Sequence, residues 1–210
     1  MKTPVAAASA AAPLVFIVDD DEAIREALTD LLRSVGIESR CFGSTRELLD
    51  AAPTDRPGCL ILDVRLPGIS GLDLQAQLMR DRNTRPIIFM TGHGDIPMSV
   101  RAMKAGAMDF LTKPFRDQDM LDVVAAAIDK DMALRQEAVA AKEVAAQAAT
   151  LTPRETEVMA AVVKGLMNKQ IAGLLGISEI TVKLHRGNVM RKMEVRSVAD
   201  LVRKAELLAR

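Results

Sequence analysis

The stretch "FIVDDDE", Phe16 to Glu22, decides how the first half of the chain is read. With Leu14 and Val15 before it, it is an apolar run that ends abruptly in four acids, Asp19, Asp20, Asp21 and Glu22. A short continuous apolar run of this kind reads as a strand buried on both faces that then meets water. Adjacent carboxylates repel one another, and crowding them raises the free energy of their charged forms. Either solvent and helix capping absorb that charge, or a cation belongs there.

The same alternation returns on moving outward. Strand-like runs follow around "IESRCF", at "CLILD", at "PIIFM" and at "MDFLT". Helical patterns separate them: "DEAIREALTDLLRSVG", "STRELLDAA", "GLDLQAQLMRD" and "IPMSVRAMKAGA", with Gly36, Gly43 and Gly106 at helix ends or turns. Strand–helix alternation at this spacing predicts an α/β domain over residues 13–130, a doubly wound five-stranded parallel sheet covered on both faces. A fifth helix begins after Pro114 on the amphipathic face of Leu121, Val124, Ile128 and Met132. Its Ala-rich, polar continuation predicts a helical linker over 131–149. Arg135 and Lys142 fall where a heptad begun by Leu121 and Ile128 needs apolar residues, which argues against an extended coiled coil.

Residues 150–210 change character. In "LTPRETEVMAAVVKG", Thr152 is an N-cap, Pro153 stands at the first helical position and Glu155 completes a capping box. "NKQIAGLLG", "SEITVKLHRGNVMRKM" and "SVADLVRKAELL" follow, so this is an all-helical unit of four short helices. The net charge of the 210-residue chain is zero, but the balance is uneven. Residues 1–150 hold 17 Lys and Arg against 22 Asp and Glu, whereas residues 151–210 hold 11 against 6. A basic small part joined to an acidic large one hints at nucleic acid for the second, although a modest excess is also what a solvated face shows.

Cys41 and Cys59 lack metal-like spacing, and Cys59 lies within the apolar run "CLILD", so both are expected as free thiols in a reducing cytoplasm. The opening "MKTPVAAASAAAP" has too poor an apolar centre for a signal peptide and is expected to be a disordered tail over residues 1–12. No apolar run approaches membrane-spanning length, so no membrane association is expected.

In an open parallel sheet, chemistry gathers beyond the carboxyl ends of the strands. Those ends carry Asp19 and Asp20, then Asp63, Thr91 and Lys113, all on one edge. Three carboxylates together make a hard oxygen cage suited to Mg²⁺ or Mn²⁺. With a hydroxyl from Thr91 and a compact charge from Lys113, the set suits phosphoryl transfer to a carboxylate that is already ionised, Asp63. Asp21 reads as a helix cap instead. A nucleotide site is disfavoured, because strand one is followed by acids and not by a glycine-rich loop. His93, in "TGHGD", is expected to be an ordinary loop residue.

"VDDDE", "LILDVRLPGISGLDL" and "FMTGHGDIPMSVRAMKAGAMDFLTKPF" resemble the receiver domain of two-component response regulators. The resemblance implies that Asp63 is the phosphoacceptor, with Thr91 and Lys113 completing the catalytic set. It further implies Mg²⁺ bound by Asp20, Asp63 and the backbone carbonyl of Arg65, with Asp19 acting through water. Thr91 and Phe110 would form the conformational switch. Many receivers carry Tyr at the second position, so a hydrogen bond made by that hydroxyl is lost here. The Lys113–Pro114 bond would be cis, the geometry that only X-Pro adopts cheaply.

In the second unit, "NKQIAGLLGISEITVKLHRGNVMRKM" reads as helix, turn at Gly176-Ile177-Ser178, helix. Ile171, Leu174, Leu175, Ile177 and Val182 are expected inside, leaving Lys183, Arg186, Arg191 and Lys192 outward. From patterning alone the unit is a DNA reader or a helical protein-interaction module with a basic face. "LTPRETEVM", "KGLMNKQIAGLLGIS" and "TVKLHRGNVMRKM" resemble the DNA-binding domain of the FixJ/NarL/LuxR group, and the whole chain its FixJ-like branch. That resemblance implies a recognition helix presenting Thr181, Lys183, Leu184, His185, Arg186, Gly187 and Asn188 to double-stranded promoter DNA. Asn168 and Lys169 would make phosphate contacts at the start of the supporting helix.

The reading is therefore a cytoplasmic transcription factor, not an enzyme. A sensor histidine kinase would phosphorylate it, a homodimer would form when it is phosphorylated, and RNA polymerase is a further partner compatible with that role. The rival is a receiver acting as a phosphorylation-independent dimerisation or docking module. A phosphoaspartate hydrolase would need a general acid two residues after Asp63, where Arg65 stands.

Overall fold

The computed structural model describes residues 11–81, 83–92 and 96–208, without the side chain of Ile96. Residues 1–10 of the expected tail, and His93, lie outside the described residues. Five strands form one parallel sheet: β1 (Leu14–Val18), β2 (Glu38–Phe42), β3 (Leu60–Asp63), β4 (Ile87–Thr91) and β5 (Asp109–Thr112). Their order is β2-β1-β3-β4-β5, with every pairing parallel, and the step between β1 and β3 is the topological switch point. The intervening helices are α1 (Glu22–Ser34), α2 (Thr45–Asp50), α3 (Gly71–Arg80) and α4 (Ile96–Lys104), and α5 (Asp117–Ala149) follows the last strand.

Alternation along the strands sorts the apolar residues onto two faces. Val15, Ile17, Ile61, Ile88 and Met90 pack against Leu28 and Leu32 of α1 and Met120, Val124, Ala127 and Ile128 of α5. Val18, Leu60, Leu62, Ile87 and Phe89 pack against Leu74 of α3 and Ala102 of α4. The central strands β3 and β4 are buried throughout, which explains their unbroken apolar sequences, whereas edge strand β2 is largely exposed and mixed.

The chain divides into two compact units, one ending at Arg135 and the other beginning at Gln136. The division falls inside α5, and the segment expected as a linker is not a bare connector. Asp131 is fully buried in the first unit and accepts hydrogen bonds from the Gly58 backbone at 2.9 Å and Arg135 Nε at 2.7 Å. Further along, Val144 is buried in the core of the second unit and Gln147 accepts a hydrogen bond from Lys204.

That unit holds α6 (Pro153–Val163), α7 (Asn168–Leu175), α8 (Glu179–Lys192) and α9 (Val198–Leu208) around Val158, Ile171, Val182, Val189, Met193 and Leu201. The capping box on α6 forms as expected: Thr152 Oγ1 accepts from Glu155 N, and Glu155 Oε2 accepts from Thr152 N. Gly176 ends α7 with φ 64°, a left-handed conformation that glycine adopts without steric penalty, and Ser178 then caps α8. Leu174, expected inside, is 67% exposed, because the turn at Gly176 directs Ile177 and Leu175 to the core instead.

Candidate functional site

Register brings the strand ends together. Val18 pairs with Leu62, so Asp19 follows β1 level with Asp63. Asp63 pairs with Met90, which pairs with Leu111, so Lys113 lies two residues beyond on the neighbouring path. Lys113 Nζ donates to Asp19 Oδ2 at 2.6 Å and to Asp63 Oδ2 at 2.7 Å. The other oxygen of each acid is met by backbone: Asp19 Oδ1 accepts from Asp21 N at 3.0 Å, and Asp63 Oδ1 from Arg65 N at 2.9 Å. Asp20 is exposed. Asp21 caps α1, accepting from Ala23 N at 2.9 Å, and so leaves the cluster.

Asp19 and Asp63 are buried although both are acids. Burial raises the pKa of Asp19 above its ordinary value, only partly offset by the hydrogen bond from Lys113 and by the Asp21 backbone. For Lys113, burial opposes the charge, but its hydrogen bonds to Asp19 and Asp63 outweigh that and hold its pKa above the ordinary lysine value. Among the described residues the cluster is short of positive charge: Lys113 is the cation bound to its carboxylates, while Arg25 Nη1 reaches only the Asp19 carbonyl, at 2.7 Å. One oxygen from each of Asp19, Asp20 and Asp63 can be chosen so that all lie within 4.8 Å of one another. An all-oxygen set of that span fits a divalent cation, which keeps several of its waters.

Thr91 is buried at the end of β4, and its carbonyl accepts from Lys113 N at 2.8 Å. The Lys113–Pro114 bond is cis, as expected. Phe110 on β5 pairs in register with Phe89, and their ring centroids lie 6.4 Å apart within the core beneath α4. Sequence reasoning missed Gly71. A Cβ there would lie 2.3 Å from Asp63 O, so only glycine lets α3 start against the strand end that carries the acid. The signal was the "GL" that opens the helical pattern after Ser70, the cap of α3. A cleft of about 570 Å³ is lined by Val64 and Arg65, which follow Asp63, and by Leu66, Ser70, Met98 and Arg101, among others.

In the second unit the expected contact residues separate into two groups. Lys169, Lys183, Leu184 and Gly187 are exposed, whereas Asn168, Thr181, His185, Arg186 and Asn188 are half-buried. Asn168 Oδ1 accepts from Arg186 Nη1 at 2.6 Å, joining the start of α7 to α8. The Thr181 hydroxyl bonds Ser178 in the α8 cap. Lys192, expected outward, turns to Glu155 Oε2 at 2.6 Å and to Thr150 O at 2.9 Å. Sequence reasoning had given Glu155 a capping role alone. Among the described residues, no helix is long and apolar enough to cross a membrane.

Comparison with known proteins agrees with both halves of this description. Residues 15–125 match the response regulator receiver domain, and residues 149–205 match the luxR family of bacterial regulatory proteins. The chain is 55% identical to nodulation protein W of Bradyrhizobium diazoefficiens, over 93% of this chain and 86% of that protein. It is 48% identical to the response regulator protein TodT of Pseudomonas putida, over 94% and 87%. A low-resolution structure of the response regulator StyR superposes with a TM-score of 0.80 at 48% identity, covering 93% of this chain and 99% of that one. An acid-lined receiver edge on a 2-1-3-4-5 sheet, followed by a luxR-type helix-turn-helix, places the chain in the family of two-component response regulators that act as DNA-binding transcription regulators.

Proposed function

We propose that Asp63 is the phosphoacceptor of this regulator and that a sensor histidine kinase in the cytoplasm supplies the phosphoryl group. The observation that carries the reading is the meeting of Asp19, Asp20, Asp63 and Lys113 at one strand edge, with more negative charge than Lys113 neutralises. Asp63 Oδ2 attacks phosphorus as the bond to the kinase imidazole nitrogen breaks, and that nitrogen leaves with the electron pair. No general base is needed, because the carboxylate is already ionised. Lys113, now bound to both Asp63 and Asp19, shifts its hydrogen bond from Asp63 to a phosphoryl oxygen. Asp19, Asp20, Asp63 and the Arg65 carbonyl would hold Mg²⁺ or Mn²⁺, which when bound neutralises charge on the phosphoryl oxygens.

The consequence of phosphorylation is homodimerisation and promoter binding. Thr91 moves toward the phosphoryl group and the Phe110 ring fills the vacated space, changing the surface of α4 and β5. Val100 and Met103 lie exposed on α4, which suits an interface. Receiver function resides in residues 13–130 and DNA reading in 150–210, with 131–149 between them. Asn168 and Lys169, with Thr181, Lys183, Leu184, His185, Arg186, Gly187 and Asn188 of α8, form the DNA-facing surface.

The test is labelling by a small phosphodonor such as acetyl phosphate with Mg²⁺, followed by sedimentation. Wild type becomes labelled and its dimer fraction rises, whereas Asp63→Asn does neither, because an amide is a poor nucleophile. Persistent labelling of Asp63→Asn at another residue contradicts the assignment. Dimer fractions that do not change on labelling contradict the dimerisation step.

A further inference from the structure

The face that α8 turns to solvent has an unusual make-up for a basic unit. Ile180, Lys183, Leu184, Gly187 and Arg191 are exposed, at spacings that place them on one side of the helix, while Val182 and Val189 are buried on the other. Ile180 is 80% exposed and Leu184 64%, four residues apart, so they form one apolar ridge and not two scattered surface residues. Gly187 continues the line. A Cβ built there meets nothing within 4 Å, so the unit's own packing does not require glycine. Glycine inside a helix nevertheless weakens it roughly two- to five-fold in equilibrium relative to alanine.

We infer that this ridge enters the major groove and reads thymine by its C5-methyl group, Leu184 and Ile180 making the apolar contacts and the bare backbone at Gly187 allowing close approach. The inference rests on the DNA-reading function proposed above and names the chemistry of the bases read. Apolar contact with the thymine methyl is one of the few direct readouts open to a side chain without donors or acceptors. Lys183 and Arg191 on the same face supply the positive charge that a groove walled by phosphates attracts, which is why a duplex is the occupant and not an apolar protein helix. Arg186 and Asn168, bound to each other, act as a strut between α7 and α8 that fixes the angle of the ridge.

The experiment takes full-length protein, treated with acetyl phosphate and Mg²⁺, and selects duplexes from random sequence. In the selected duplex each thymine is then replaced singly by deoxyuridine, which removes only the methyl group. Wild type should lose affinity several-fold at one or two positions, and Leu184→Ala or Ile180→Ala should bind the thymine and uracil forms of those positions equally. Gly187→Ala should raise the thermal midpoint while weakening the selected duplex on the order of tenfold, the cost of one poor base contact. Methyl reading is overturned if wild type ignores the replacement or if both alanine variants discriminate as wild type does. Close approach is overturned if Gly187→Ala binds as tightly as wild type. Selection of no duplex at all overturns the DNA-reading function itself, and the inference with it.

Discussion

Two charge clusters bracket the parallel sheet, and they are built on opposite principles. At the carboxyl edge, Asp19 and Asp63 share the ammonium of Lys113, and exposed Asp20 stands beside them. At the amino edge, buried Asp131 accepts from Arg135 and the Gly58 backbone, and Arg135 also binds the Asp55 carbonyl and carboxylate, each at 2.8 Å. Nearby, Arg85 donates to Leu14 O and Arg56 O, while Arg56 donates to Glu38 and to the backbone of Ala12 and Pro13. Here guanidinium groups match or exceed the acids. Both clusters bury charge, which is costly unless compensated. The amino edge is compensated by groups of the chain itself, apart from Asp131 Oδ1, which has no hydrogen-bond partner among the described residues. The carboxyl edge is left negative, with an oxygen set that fits a divalent cation.

The sharpest way to break this contrast is to remove one charge from each cluster. Lys113→Ala leaves two buried carboxylates facing each other without their cation. Unfolding in metal-free buffer should show a loss of about 3 kcal/mol, the scale of breaking a buried pair. Millimolar Mg²⁺ should restore more stability to this variant than to wild type, because a dication takes over the vacated role. Asp131→Ala should cost slightly less, about 2 kcal/mol, since Arg135 keeps Asp55 while the Gly58 amide loses its acceptor. Mg²⁺ should not rescue it, and phosphodonor labelling of Asp63 should proceed at the wild-type rate. Equal rescue of both variants would erase the distinction between the two edges.

A smaller effect concerns the metal. Asp20→Ala removes the one exposed acid of the set and leaves the buried pair with Lys113 intact. Mg²⁺ affinity by titration calorimetry should fall at least tenfold, a change of about 1.4 kcal/mol, the scale seen even for outer-sphere partners of metal sites. Wild-type affinity should also decline as pH falls, because ligands must be deprotonated. Since burial raises the pKa of Asp19, that decline begins above the ordinary aspartate range.

The two edges also differ in how far they can be read from the sequence. Each acid of the carboxyl edge terminates a strand-like run, so parallel topology alone predicts that Asp19, Asp63, Thr91 and Lys113 converge. The five-strand fold, the cap at Asp21 and the box at Thr152 and Glu155 were legible for the same reason: each rests on a local periodicity or a fixed offset. The amino edge has no such signal. Asp131 is one of several acids in a long polar helix, and Asp55 and Gly58 sit in an irregular loop, so only the folded chain joins them. The outward turn of Leu174 was likewise illegible, because an apolar residue in a helix carries no mark of whether its partner belongs to the same chain. The same holds for the Arg186–Asn168 bond, eighteen residues apart, which ties two of the expected DNA contacts to each other.

The finest test contrasts acids with opposite pH behaviour. Glu155, buried in the second unit, accepts from Lys192 at 2.6 Å and from the Thr152 backbone at 2.9 Å, and these bonds lower its pKa to about 2 from an ordinary 4.5. A depressed pKa means that the folded state favours the charged form, so its contribution is complete above about 4.5 and is lost as pH falls toward about 2. Asp19 has the reverse sign. Its raised pKa means that the charged form costs stability at neutral pH, and the cost is relieved as pH falls through that raised value. Glu155→Gln should therefore be less stable than wild type at neutral pH and converge with it in acid, as followed by thermal unfolding of the second unit. The fragment should begin at Gln136, so that Val144 and Gln147 remain. Asp19→Asn in the full chain should instead gain on wild type at neutral pH in metal-free buffer and lose that advantage in acid. A Glu155→Gln difference that stays constant from pH 7 to pH 2 would show that the Lys192 pair acts through packing and not through charge.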